Sequence, residues 1–117
     1  MQADSITPRE AFIYICFNMI SADREIDDRE VEKLFDIIKR YGFQYDEVKK
    51  ISDMILELGT NEAFERGMEY VEIAKQLDEE MKKNLIQALL EIGEADGKVE
   101  DSELSMLFTV QMAFGTH

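Results

Sequence analysis

Cysteine, proline and histidine each occur once in this 117-residue chain, and 13 Lys and Arg face 26 Asp and Glu. Each scarcity excludes something. A single cysteine, Cys16, permits no internal disulfide and gives no sign of secretion. With one cysteine and one histidine there are too few sulfur and nitrogen ligands for zinc. The histidine, His117, is the last residue given and is expected to be frayed, which removes the commonest general base. No glycine-rich phosphate loop is present, and no serine has an identifiable base beside it. The net charge of -13 repels phosphate and argues against nucleic acid, while remaining compatible with cations or basic partner proteins. Long apolar runs are also missing. AFIYICFNMI, residues 11–20, is about half of what a bilayer-spanning helix needs, so no direct membrane insertion is expected. No basic segment precedes it, so a signal peptide is not indicated and a cytoplasmic protein is the expectation.

What the chain does have is helical periodicity. Apolar residues make up 45% of the sequence, enough for a folded core in one domain. Thr7-Pro8-Arg9-Glu10 reads as a capping box with proline at the first helical position. Phe12, Ile15, Cys16, Met19 and Ile20 follow at helical spacing. A second helix is expected from Asp27, with Val31, Leu34, Phe35 and Ile38 on its apolar face and Gly42 at its end. A third carries Val48, Ile51, Met54, Ile55 and Leu58 and stops at Gly59. A fourth starts near Asn61 with Phe64, Met68, Val71 and Leu77. A fifth begins after Asp78 and carries Met81, Leu85, Ala88, Leu89 and Ile92, while its opening charge run DEEMKK, residues 78–83, is expected to pair on a wet face. The last begins after Glu100 with Leu104, Leu107, Phe108 and Phe114, then Gly115. No strand-like alternation persists. The reading is all-α, one compact bundle of about six helices joined by short loops.

The chain also repeats itself. SADREIDDREVEKLFDIIKRYG, residues 21–42, aligns without gaps to EADGKVEDSELSMLFTVQMAFG, residues 94–115, at an offset of 73 with seven of 22 positions identical. Two helix–acidic turn–helix units, about residues 8–42 and 81–115, therefore flank a central helical pair, and a pseudo-two-fold arrangement is predicted.

A long helix ending in A-D-G-x-[IV], followed by an acidic cap, x-x-E and an apolar helix, resembles the tellurite-resistance TerB-like domain. It also resembles the N-terminal cytoplasmic region of the DnaJ-like membrane co-chaperone. The second copy matches through Ala95, Asp96, Gly97, Val99, Glu100 and Glu103. The first matches through Ala22, Asp23, Ile26, Asp27 and Glu30 but has Arg24 where glycine is usual. The resemblance implies an all-helical fold with internal pseudo-symmetry and an acidic surface, a role in tellurite resistance or stress, and either metal ions or membrane-associated partners as ligands.

The residues themselves allow two roles for the turns. D-G-x-V-x-x-x-E is the second half of a calcium-binding loop, with Asp96, Gly97, Val99 and Glu103 in register. The first ligand position, however, holds Ile92, so a tight calcium loop is disfavoured. In the structural role, Gly97 ends the fifth helix, Asp23 and Asp96 accept backbone bonds, and Glu30 and Glu103 close capping boxes. In the cation role, pseudo-symmetry gathers Asp23, Asp27, Asp28, Asp96, Glu100 and Asp101 on one side, and the residues expected to carry a weak site for Ca²⁺ or Mg²⁺ are Asp23, Asp27, Glu30, Asp96, Glu100 and Glu103. Cys16 falls on an apolar face and reads as a buried, inert thiol. Most methionines lie at core spacing, whereas Met106, Met112, Tyr45 and Tyr70 fit the inward stripes less well. Those four are candidates for exposed contact with a partner or for self-association into a homo-oligomer. The expected function is non-enzymatic: an acidic surface offered to a divalent cation or protein partner. The alternative is a pure interaction or scaffold domain whose acidic turns are only caps.

Overall fold

A computed structural model of the chain describes residues 6–21, 28–95, 97 and 101–115. Six helices follow one another: α1 (Pro8–Ser21), α2 (Asp28–Arg40), α3 (Tyr45–Leu58), α4 (Thr60–Ala74), α5 (Glu79–Glu94) and α6 (Asp101–Phe114). No strand occurs among the described residues. The radius of gyration, 12.9 Å, is that of a close-packed all-α bundle.

Local chemistry fixes the helix ends. Thr7 N–H donates to Glu10 Oε1 at 2.9 Å while Glu10 N–H donates to Thr7 Oγ1 at 3.1 Å, so the capping box starts α1 with Pro8 at its first position. Asp78 caps α5 by accepting from Met81 N–H at 2.8 Å. Beyond α2, Gly42 N–H reaches Lys39 O at 3.3 Å and Phe43 N–H reaches Ile38 O at 3.1 Å. That closure needs a left-handed residue, and Gly42 supplies a φ of 72°. Gly115, its counterpart 73 residues later, has the same φ of 72° after α6.

α1 is apolar all round and is accordingly buried all round. Its neighbours are α2, α3, α4 and α5. Ala11, Phe12, Ile13, Tyr14, Ile15 and Cys16 are all in the core. Phe12 meets Tyr41 edge-on with ring centroids 5.8 Å apart and Phe43 at 5.0 Å. On the α4 side, Tyr14 O–H donates to Ala63 O at 2.9 Å, and Asn18 Nδ2 donates to the same carbonyl at 3.2 Å. Gly67 makes this approach possible, because a Cβ there would collide with the Asn18 side-chain amide. α6 packs on α5 and α4, and α2 packs on α1 and α5.

Ion pairs tie the shell to this centre. Arg9 grips Glu47 through two nitrogens, at 3.0 and 3.1 Å, joining α1 to α3. Arg40 grips Glu91 through two bonds of 2.9 Å, joining α2 of the first repeat to α5 of the second.

Five expectations about facing are corrected. Phe35, Leu104 and Phe108 do not lie on the inward faces; they are 57%, 38% and 63% exposed. The buried stripe of α2 runs through Glu30, Leu34 and Ile37, and that of α6 through Glu103, Met106 and Val110. One residue on from position 34, a helix has turned about 100°, which carries Phe35 out of the stripe. Met106, expected at the surface, is therefore in the core. Tyr70 is also buried, edge-on to Tyr14 at 4.6 Å. Tyr45 and Met112 are exposed as expected. Among the described residues, no helix is long and apolar enough to cross a membrane.

Candidate functional site

Of the six carboxylates singled out in the turns, Asp23, Asp27, Asp96 and Glu100 lie outside the described residues. So do Ile26 and Val99, the aliphatic residues of the two turn motifs. Glu30 and Glu103 are described, and they occupy the same place in their repeats. Each sits in the first turn of its helix, and each is only 1% exposed. Glu30 Oε1 and Glu103 Oε2 are buried without a hydrogen bond, although both residues have other partners. Carboxylates withdrawn this far from water need donors, a cation or a proton to offset the loss of hydration. The N-terminal end of a helix supplies part of that through its free N–H groups and dipole. Gly97, expected to end α5 with a left-handed backbone, has a φ of 83°.

The two glutamates head helices that pack on the same element, since α2 and α6 both lie against α5. Among the described residues no group of three or more His, Cys, Asp or Glu side chains is arranged to hold a metal ion. Glu103 lines a mainly apolar pocket of about 160 Å³ with Met19 of α1, Leu89 and Gly93 of α5, and Leu104 and Leu107 of α6.

Beside α2 lies a second feature that no local sequence pattern announces. A polar groove of about 390 Å³ runs between α2 and the end of α5, lined by Arg29, Glu32, Lys33, Asp36, Glu91 and Glu94. Glu91 accepts from Arg40 and lies 3.9 Å from Lys33. Its hydrogen bonds to Arg40 hold the Glu91 carboxyl below the usual range, against the opposing effect of burial. The ionised pair is a strut between the two repeats. Only contact across 51 residues reveals it, which no local pattern encodes.

Nucleophilic chemistry finds no support at Cys16. The thiol is fully buried in α1, and burial pushes its pKa up, away from the reactive thiolate.

The comparisons with known proteins agree with the duplicated turn motif. The family model for the tellurite resistance protein TerB matches residues 9–117. The chain belongs to the TerB family. The match spans both helix–turn–helix units and the central pair α3–α4, so the TerB domain accounts for all six helices rather than for one repeat. Neither the curated proteins nor the solved structures yielded a match. For this TerB domain, a tellurite-resistance-related module is thus the function that the family supports.

Proposed function

We propose that this TerB domain is a non-enzymatic binding module whose two acidic turns offer a divalent cation, or a basic protein partner, a paired carboxylate surface. The turns contribute Asp23, Asp27 and Glu30 from the first copy and Asp96, Glu100 and Glu103 from the second. The observation that carries the reading is the matched burial of Glu30 and Glu103, each 1% exposed at the head of its helix. A carboxylate kept in the same buried place in both copies calls for positive charge or donors there, and the net charge of -13 favours cationic ligands in general. Ca²⁺ or Mg²⁺ suits an all-oxygen ligand set, and binding is weak because neither turn has a full set of loop ligands. We place the module in the cytoplasm, with a membrane-associated protein among the partners its acidic surface fits.

Thermal melting with and without millimolar Ca²⁺ or Mg²⁺ tests the reading. The wild type should melt later with the cation, and Asp96→Asn or Glu103→Gln should lose that shift. A titration in which the backbone NMR signals around both turns stay still would sink the cation reading.

The second reading is a pure interaction domain with structural caps. The first-turn position of both glutamates favours it, because helix N–H groups alone can stabilise a carboxylate there. In that case Glu103→Gln lowers stability equally with and without the cation.

A further inference from the structure

Helix α6 differs from α2, α3, α4 and α5 in its outer face. From Leu104 to Phe114 it carries no charged residue, although 33% of the whole chain is Asp, Glu, Lys or Arg. Three of its apolar side chains are turned outward: Leu104 at 38% exposure, Phe108 at 63% and Met112 at 72%. They stand at i, i+4 and i+8, one above another along a single stripe. The repeat supplies an internal control. The matching positions on α2 are Val31, Phe35 and Lys39, and Glu32, Asp36 and Arg40 stand beside them. One outer face is thus kept wet by charge and the other is not.

We propose that the α6 stripe is a two-fold self-association surface, occupied by the α6 of a second copy. Two arguments select a second copy over another partner. First, charge: copies with a net charge of -13 repel each other, and α6 offers a face on which no carboxylate meets another. A basic partner, in contrast, is steered by charge to the acidic faces rather than to this one. Second, self-complementarity: the stripe is symmetric about Phe108. Antiparallel pairing sets Phe108 against its own copy on the axis and Leu104 against Met112 twice, as an isologous contact requires. The stripe is short, about 12 Å from Leu104 to Met112 at a helical rise of about 1.5 Å per residue. Such a surface sits at the small end of specific interfaces, so the dimer dissociates on dilution. This inference is independent of the cation reading, since it uses none of the six turn carboxylates.

Sedimentation of the full chain over a concentration series is the test. The wild type is expected to shift from monomer toward dimer as concentration rises, and Phe108→Glu to remain monomeric throughout. Phe35→Glu, at the equivalent exposed site on α2, should behave as wild type. Phe108→Cys adds a readout independent of affinity, because Cys16 is buried and does not compete. Mild oxidation should link Phe108→Cys into covalent dimers far faster than Phe35→Cys. A wild type that stays monomeric into the millimolar range overturns the proposal. So do equal cross-linking at the two sites, or a stripe that drives flotation with lipid vesicles while the protein in solution stays monomeric.

Discussion

α1 and α5 open the two repeats, yet they live in different surroundings. Along one stripe they match: Phe12, Ile15, Cys16 and Met19 are buried, and so are Leu85, Ala88, Leu89 and Ile92 at the corresponding positions. Off that stripe they part. Ala11, Ile13 and Tyr14 are buried, whereas their counterparts Asn84 and Ile86 are half-buried and Gln87 is exposed. The cause is the central pair, because α3 and α4 lie against α1 and leave α5 to α1, α2 and α6. The shared stripe is what each helical hairpin needs; the extra apolar faces of α1 are what the inserted pair needs. A duplicated unit has thus become a core helix in one copy and a surface helix in the other.

The most forceful way to break the comparison is to truncate the same residue type in both helices. Ile13→Ala should cost about 3–4 kcal/mol and Ile86→Ala about half as much, because only the first leaves a fully enclosed cavity. Denaturant unfolding of the two variants measures the difference, and equal losses would mean that the helices are equally enclosed. A smaller effect is expected at the contact that α5 lacks. Gly67→Ala drives a methyl into the Asn18 amide and should cost about 1–3 kcal/mol, with the α1–α4 hydrogen bonds to Ala63 lost first. Smallest is the strut between the repeats. The Glu91 carboxyl is held below its ordinary value in the folded state, so its contribution is full above the unfolded value and fades as pH falls through the folded one. Glu91→Gln should therefore be less stable than wild type at pH 7, with the two curves converging in acid. A gap that persists at pH 2 would assign the loss to packing rather than to charge.

How far the fold was legible follows from which signals are local. Caps and stops are local, and Thr7, Asp78, Gly42 and Gly59 placed four helix ends from sequence alone. The repeat is legible too, since it needs only a comparison of the chain with itself. Facing was read less well. Phe35 and Phe108 read as inward because a large aromatic beside Leu34 or Leu107 fits a helical stripe drawn from apolar residues only. The true stripes pass through Glu30 and Glu103, and a rule that treats carboxylates as surface residues rotates the helix to avoid them. The same two residues mark the candidate site, so the misreading of the face and the interest of the site have one origin. Long-range ion pairs such as Arg9–Glu47 and Arg40–Glu91 leave no trace in periodicity, because any of 26 acidic residues could have met either arginine.

Cys16 offers a clock. Its thiol lies at the centre of α1, the helix that four others enclose, so a bulky aromatic disulfide reagent cannot reach it from outside. Labelling must wait until the whole bundle opens, and at saturating reagent its rate becomes the rate of global unfolding under native conditions. The single sulfhydryl of this chain thus makes its kinetic lifetime measurable with no substitution and no denaturant.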